Sequence, residues 1–414
     1  MGAPMVLLEG AASIGSLRAA GYQVARFLVL PDVRHPEVIL PLRDRGAVRY
    51  ALQRRTVAAT RARAIAAQAG AIAVALFPRV VRPGSVLTLA SRIGRDPFVL
   101  GEVAARGFAT TASWYLQLGR SDDLAERRMA VLVFPSTARA PAWAVKVARV
   151  PDMDDAFDRD ERGLSELTQA APDLADRAPR LVGRSSVAGL PLSVETAAVG
   201  DRATEVLRRG GSAARHLISA VSAWLVDLAV ATRLEPEALA AERLRFEADV
   251  APAWEGQADV VALLAALGDV PGVLVHSDLG TWNIVADGRE FSIVDWESTR
   301  RAGLPLWDLL YFLADACAQV ARRARPGDRA EYLVTLFRGE AELSPILFDW
   351  VRRAASASSL APDSVGVIAT LSWLHRGAPF LLSGEGTYPE PDMLRFARMW
   401  VADPDLGPTW SRWR

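Results

Sequence analysis

Two carboxylates and one carboxamide, Asp278, Asn283 and Asp295, occur within 18 residues of each other in the chain. One short apolar segment rich in β-branched residues precedes Asp278 and Asn283, and another precedes Asp295, which indicates two buried strands. Residues 286–289, Ala-Asp-Gly-Arg, predict a turn before the second strand. We therefore expect the three side chains to meet at one end of a small sheet. Asn and Asp oxygens suit Mg²⁺, and a further carboxylate can accept a hydroxyl proton, so the set predicts phosphoryl transfer.

The spacing supports this chemistry. A His at 276, an Asp two residues later, an Asn five residues after that and a second Asp at the end of the next strand form the catalytic-loop pattern of the kinase fold. The alternative interpretation is that these polar residues only cap turns. The position of the second Asp favours the chemical interpretation.

Residues from Val273 to Leu313 resemble the aminoglycoside phosphotransferase and choline kinase family, on His276 to Asn283 and on the segment Ile-Val-Asp-Trp-Glu at 293–297. The resemblance weakens back to about residue 110. It implies an α+β, protein-kinase-like fold with a small β-rich N-lobe and a large helical C-lobe. An extra N-terminal α/β segment would precede the two lobes.

The same resemblance implies a role for each matching residue. Asp278 would be the catalytic base, and Asn283 and Asp295 would hold Mg²⁺. Asp308 would brace the catalytic loop from a neighbouring helix, and His276 would be a structural hydrogen-bonding residue of that loop.

The composition draws attention to one further residue. Of the 48 basic residues, 47 are Arg and one is Lys146, and Asn283 is the only Asn. Because an ammonium and a guanidinium differ in shape and hydration, a lone Lys in an Arg-rich chain is expected where Arg cannot substitute. Chance survival of two rare residues is the alternative. Lys146 alternates with apolar residues in Trp-Ala-Val-Lys-Val-Ala at 143–148, a pattern that predicts a strand and resembles the kinase strand whose Lys contacts nucleotide phosphates.

A helical carboxylate is expected to hold this Lys. Apolar residues at 157, 164 and 167 predict an amphipathic helix over 157–169. We place Glu161 on its inward face as the partner of Lys146, and Glu166 in solvent. An ordinary surface helix is the alternative.

Two further nucleotide contacts are predicted by position. Residues 119–126 connect two predicted strands and would cover the phosphates, with Gly119 as the candidate contact, although kinases have three glycines there. Backbone groups from Thr196 to Ala198 would receive the adenine at the hinge between lobes.

The chain divides into three predicted regions. Residues 1–105 form an accessory domain of unknown function and unknown partner, residues 106–199 the N-lobe and residues 200–414 the helical C-lobe. An Arg-rich helix is expected over 47–77, where the arginines are either a site for an anionic partner or simply a solvated face.

Composition excludes several classes of protein. The 48 acidic residues cancel the 48 basic ones, which argues against nucleic acid as a partner. A single cysteine, Cys317, excludes a disulfide framework. We expect no transmembrane segment and a cytoplasmic location.

Only twelve residues separate Asp295 from Asp308. A protein kinase places its activation segment and A-P-E motif in that interval, so a polypeptide acceptor is not expected. A sugar, an amino alcohol or an aminoglycoside-like molecule fits better, with ATP or GTP as the donor. A nucleotide-binding pseudokinase with a regulatory or scaffold role is the alternative, and an assembly factor acting through residues 1–105 is another.

Overall fold

The computed structural model describes most of the chain and divides it into two compact units. The described residues are 6–8, 14–31, 36–42, 44–55, 86–92, 113–117, 128–135, 138–187, 189–321, 327–382 and 390–414. Unit 1 comprises the described residues of Met1–Asp158 and Pro179–Val199, and unit 2 comprises Arg159–Ala178 and Gly200–Arg414. Residues 159–178, which were predicted in the N-lobe, belong to unit 2, and the predicted lobe bounds stay a prediction.

Unit 1 is built on one antiparallel sheet of nine strands in the order β1-β4-β2-β3-β5-β6-β7-β9-β8. Its strands are β1 (Val6–Leu8), β2 (Tyr22–Pro31), β3 (Pro36–Pro41), β4 (Val86–Arg92), β5 (Ser113–Gln117), β6 (Arg128–Phe134), β7 (Trp143–Ala148), β8 (Leu181–Val187) and β9 (Leu190–Thr196). Helices α1 (Ile14–Ala19) and α2 (Arg45–Arg55) accompany the sheet.

Alternation along the central strands separates an apolar face from a polar one. Six buried aliphatic side chains form the core on one face: Val131, Val133, Val145, Val147, Leu192 and Val194. Lys146 lies between two of them in β7 and is paired with Ser193 of β9, so both project from the opposite face. The sheet therefore presents the lone Lys from a rigid strand.

Strands from the predicted accessory region belong to this same sheet, because β3 pairs with β5. The predicted boundary between residues 105 and 106 lies outside the described residues and stays a prediction. The same holds for the part of the predicted Arg-rich helix beyond residue 55.

Unit 2 is mainly helical, which confirms the α+β class. The helices are α3 (Asp154–Ala170), which begins in unit 1, α4 (Ala203–Arg209), α5 (Gly211–Ala231), α6 (Ala240–Arg245), α7 (Val260–Ala266), α8 (Trp307–Val320), α9 (Asp328–Arg338), α10 (Ser344–Ala357), α11 (Pro362–Leu382) and α12 (Asp392–Ala402). Two small sheets are inserted: β10 (Asp201–Arg202), β12 (Ile284–Asp287) and β13 (Glu290–Ile293) form one, and β11 (Val273–Val275) pairs with β14 (Arg300–Gly303).

Aromatic side chains fill the core of unit 2. Trp373, Trp400 and Trp410 are fully buried around Phe337, with ring centroids 5.2 to 5.5 Å from it. These C-terminal tryptophans therefore serve core packing. By length and composition, α5 and α11 could each cross a membrane, but both contribute buried residues to this core.

Candidate active site

The predicted catalytic loop connects β11 to β12 in unit 2. It ends in a single 3₁₀ turn, Thr281–Asn283, that leads directly into β12. The main-chain N–H of Val294, just after β13, donates to the carbonyl of Asn283 at 2.9 Å. The residue before Asp295 is thus hydrogen-bonded to Asn283 at the open end of the β12–β13 hairpin.

The side chain of Asn283 is oriented by Asp278. Its Nδ2 donates to the main-chain oxygen of Asp278 at 2.9 Å and to Oδ2 of the same residue at 3.3 Å. With both donor contacts on that side, the amide oxygen of Asn283 points away from Asp278, which is the orientation a cation ligand needs.

The oxygens of Asn283 and Asp295 suit a hard divalent cation that takes its remaining ligands from water and phosphate. Within the described residues, no three His, Cys, Asp or Glu side chains are grouped to hold a metal by themselves. One amide oxygen and one carboxylate, from Asn283 and Asp295, are instead what Mg²⁺ takes from a protein when water and phosphate oxygens supply the rest.

Asp308, in the first turn of α8, holds the start of the loop. Its Oδ2 accepts from the N–H of His276 at 2.6 Å, and its Oδ1 accepts from the N–H of Ser277 at 3.0 Å. Burial raises the pKa of Asp308, while His276 and the two N–H donors act in the opposite direction. The geometry is that of the brace predicted for this residue.

His276 is buried and hydrogen-bonded on both ring nitrogens. The N–H of Asp278 donates to its Nδ1 at 3.3 Å, so Nε2 carries the proton and donates to the carbonyl of Val294 at 3.1 Å. His276 thus ties the catalytic loop to the segment that carries Asp295, with both ring nitrogens hydrogen-bonded within the protein.

Backbone strain is concentrated around these residues. Ser277, Asp295 and Leu306 adopt positive φ angles of 66°, 70° and 64° without being glycine. Each such conformation costs about 1 kcal/mol or more and persists only where the surroundings enforce it. Non-glycine residues in this conformation collect at functional sites, which agrees with the chemistry expected here.

A second acid of α8, Asp315, braces the far end of the loop and was missed by the sequence analysis. It is completely buried and accepts from the N–H of Thr281 at 2.8 Å and from Arg329 at 2.6 Å. Asp315 lies seven residues after Asp308, so both acids occupy one face of α8. Two acids at that spacing in an otherwise apolar helix were the available signal.

Arg376 of α11 contacts the predicted base and was also missed. Its Nη1 donates to Oδ1 of Asp278 at 2.7 Å, and its Nη2 donates to the carbonyl of Ser277. The guanidinium lies over the ring of Tyr311, 3.6 Å from the centroid. Nothing in the sequence marks one arginine among 47, because the contact joins residues 98 positions apart.

The turn that follows Asp295 is held by α3. The carboxylate of Asp160 accepts from the N–H of Trp296 at 2.8 Å, and Asp160 is buried. Glu161 is exposed, whereas Asp160 is the buried acid at this point of α3. At about 100° per residue, Asp160 lies between Phe157 and Leu167 around the helix, nearer the centre of the apolar stripe than Glu161.

In unit 1, the Nζ of Lys146 lies 3.0 Å from Oε1 of Glu195. Glu195 is two residues beyond the strand partner of Lys146, a diagonal neighbour on the same face of the sheet. The predicted ion pair with Glu161 joins residues of different units and stays a prediction.

The predicted adenine-binding segment begins where β9 ends. The N–H of Thr196 donates to the carbonyl of Arg180 at 3.0 Å, and its hydroxyl accepts from the N–H of Arg180 at 2.9 Å. The N–H of Thr196 is therefore already used within unit 1 and is not available to a ligand. The predicted contact at Ala198 stays a prediction, and Gly119 lies outside the described residues.

No protein-family model and no curated protein matches the chain. Among solved structures, the chain is similar to APH(2")-IIia in complex with GDP and kanamycin, with a TM-score of 0.37, 14% identity, and coverage of 67% of this chain and 89% of that one. It is similar to a thermostable mutant of aminoglycoside phosphotransferase APH(4)-Ia in a ternary complex with AMP-PNP and hygromycin B (0.36, 14%, 70% and 100%).

A third similar structure is aminoglycoside phosphotransferase APH(3'')-Id from Streptomyces rimosus in complex with ADP and streptomycin, with a TM-score of 0.36, 14% identity, and coverage of 68% and 99%. All three are aminoglycoside phosphotransferases, one of the groups that the loop motif resembles. Because the TM-scores are below 0.5, the function of this chain is argued below from its own residues.

Proposed function

We propose that the protein is a small-molecule kinase that transfers the γ-phosphoryl group of ATP or GTP to a hydroxyl group. The observation that carries the proposal is the arrangement of Asp278, Asn283 and Asp295 at the ends of β11, β12 and β13, braced by Asp308. Asp278 is 38% exposed at its side chain, so a hydroxyl can reach it, whereas the residues that hold it are buried.

Each residue then has a defined task. Asp278 orients the acceptor hydroxyl and takes its proton, and Lys146 offsets charge on the nucleotide phosphates. Asn283 and Asp295 are the residues that would hold Mg²⁺, which, when bound, offsets the negative charge of the phosphates. The loop and its braces keep Asp278 and Asn283 in place before the donor and acceptor bind, which lowers the reorganisation required for transfer.

The segment after Asp295 supports a small acceptor. It forms a 3₁₀ turn, Trp296–Ser298, and then β14, which pairs back onto β11 before α8 begins at Trp307. All the residues between the two acids are used in this way, so no activation segment is available to dock a peptide. A sugar, an amino alcohol or another small hydroxylated compound is therefore the proposed acceptor class.

Two acids near the C-terminus do not support a polycationic acceptor. Glu390 pairs with Arg398 at 2.6 Å, and Asp392 accepts from the N–H of Gly327 at 2.7 Å. The charge of Glu390 is therefore offset by Arg398, and one carboxylate oxygen of Asp392 accepts a main-chain donor. The antibiotics bound in the similar structures are therefore not carried over to this chain.

A panel of sugars, amino alcohols, nucleosides and aminoglycosides, screened for acceptor-dependent ADP or GDP release, tests the proposal. With an active acceptor, Asp278→Asn should lower turnover by at least about 1,000-fold while nucleotide affinity changes little. Asp287→Asn, an exposed change on the same hairpin, is the matched control. Full turnover in Asp278→Asn would refute the assigned base, and nucleotide binding without transfer to any acceptor would favour the pseudokinase.

A further inference from the structure

The catalytic loop itself contains no cation. Between Asp278 and Asn283 the sequence is Leu-Gly-Thr-Trp, and these residues cannot offset charge on a phosphoryl group in transfer. Phosphoryl transfer depends on positive charge placed in advance beside the equatorial oxygens, and an arginine can supply that charge. If the proposed function holds, any positive charge beyond that of Lys146 and Mg²⁺ has to come from outside the loop.

Arg376 is the cation that the fold brings to this place. It reaches Asp278 and Ser277 from α11, its side chain is 13% exposed, and its guanidinium is stacked on Tyr311. Tyr311 is itself buried, with a pKa raised by that burial to about 12. These contacts fix the guanidinium in one orientation, so little side-chain freedom is lost when a phosphate oxygen binds.

The distances place this guanidinium next to the reaction. A hydroxyl bound to the Asp278 carboxylate lies about 2.7 Å from it. In a reactive arrangement the phosphorus lies about 3 to 3.5 Å beyond that hydroxyl. Nη1 of Arg376 is 2.7 Å from Oδ1 of Asp278, so a hydroxyl bound to that oxygen keeps the phosphorus within about 9 Å of Nη1, and nearer when the atoms are not in line.

We infer that Arg376 is a catalytic residue that donates hydrogen bonds to the phosphoryl group during transfer. This inference rests on the proposed function. In the step, the acceptor hydroxyl oxygen bonds to the γ-phosphorus, the bond from phosphorus to the β–γ bridging oxygen breaks, and the hydroxyl proton passes to Asp278. Arg376 remains protonated throughout and contributes only charge and N–H donors.

Arg245 offers a matched control in the same unit. Like Arg376, it pairs with an acid, Glu242, at 2.6 Å and lies over an aromatic ring, that of Phe246, at 4.9 Å. Its side chain is 16% exposed, close to the value for Arg376. It has no part in the catalytic loop, so a loss of general stability would affect both variants and a loss of catalysis only one.

The test measures binding of MgADP with and without aluminium fluoride, which imitates the planar transferring group, by calorimetry. The wild type should gain affinity when aluminium fluoride is added. Arg376→Met should lose about 100-fold of that gain and keep its MgADP affinity, Arg376→Lys should lose part of it, and Arg245→Met should keep all of it. Guanidinium added to Arg376→Ala should restore part of the gain.

An undiminished gain in Arg376→Met, or an equal loss in Arg245→Met, would overturn the inference while leaving the proposed function intact. A wild type that does not bind MgADP, or that shows no gain with aluminium fluoride, would instead overturn the proposed function.

Discussion

Oδ2 of Asp308, in the first turn of α8, lies 2.6 Å from the main-chain nitrogen of His276. Because His276 is the first residue of the catalytic loop, this hydrogen bond holds the start of the loop against α8. Oδ1 of Asp308 accepts from the main-chain N–H of Ser277, so both carboxylate oxygens act as hydrogen-bond acceptors. The loop conformation thus depends on an acceptor at both positions of one side chain.

Asp308→Asn replaces one of these acceptors by an NH₂ group that faces an N–H donor. We expect the free energy of unfolding to fall by about 2 to 3 kcal/mol, because a buried donor is left without a partner. Urea unfolding measures this loss. Asp392→Asn, which also alters a first-turn acid that accepts one main-chain N–H, should cost about 1 kcal/mol or less. Equal losses in the two variants would contradict the special role of Asp308.

Gly163→Ala tests the contact between α3 and the turn after Asp295. A Cβ at 163 would lie 2.3 Å from the carbonyl oxygen of Trp296 and 2.6 Å from Oγ1 of Thr299. In an unhindered helix, Gly→Ala stabilises by about 1 kcal/mol, so any loss of stability reports the close packing alone. We expect a loss of about 1 to 3 kcal/mol and weaker nucleotide binding, since the turn must move.

Gly15→Ala is the control for this prediction. Gly15 lies in α1, and a Cβ there meets no atom within 4 Å. Thermal unfolding of both variants measures the difference, and Gly15→Ala should be neutral or slightly stabilised. Similar behaviour of the two variants would show that α3 does not hold the turn.

The local pattern around the catalytic loop was sufficient to predict its strands, its turn and the polar residues at their ends. Motif residues lie close together in sequence, and strand alternation and a four-residue turn determine where they point. Lys146 was predictable for the same reason, because alternation along β7 places it opposite an apolar face. The buried face of α3 was less certain, because three apolar positions leave a helix face undetermined by about one residue, and Asp160 rather than Glu161 is buried.

Long-range contacts were not predictable in this way. Arg376 and Asp315 reach the loop from α11 and α8, and neither residue belongs to a local motif around Asp278. Their partners are set by how the helices pack, which depends on core shape rather than on any short pattern. The pairing of β3 with β5 could not be predicted either, because no short sequence pattern indicates which distant strands are neighbours in a sheet.

The pH dependence of stability should carry a contribution from His375. This residue is packed between Trp307 and Phe246, and burial, reinforced by three nearby arginines, lowers its pKa to about 2. The unfolded chain binds a proton on His375 below about pH 6.5, whereas the folded chain does not. The uncharged state of His375 therefore costs no stability above about pH 6.5. Below that pH the free energy of unfolding falls because of this residue, by about 2 kcal/mol between pH 7 and pH 5.

His375→Phe should remove this contribution and flatten that part of the profile. Asp308 acts with the opposite sign, because its raised pKa favours the folded state at low pH, so the difference between wild type and variant is the informative quantity. Urea unfolding at pH 5, 6 and 7 gives it. Parallel profiles for the two proteins would show that His375 titrates normally in the folded chain.

Lys146→Arg tests whether the lone ammonium group has a task that a guanidinium cannot perform. A planar fork beside Glu195, whose carboxylate is now 3.0 Å from Nζ, should form a bidentate pair with it and leave less charge for a nucleotide. We expect MgATP to bind at least about tenfold more weakly, while the free energy of unfolding stays within about 1 kcal/mol of the wild type, since the pair itself is kept. Calorimetric titration with MgAMP-PNP measures the first quantity and urea unfolding the second.

Arg149→Lys, the reverse exchange at the exposed position just beyond β7, should change neither nucleotide affinity nor stability. Normal nucleotide affinity in Lys146→Arg would mean that the rarity of lysine in this chain reflects composition and not chemistry.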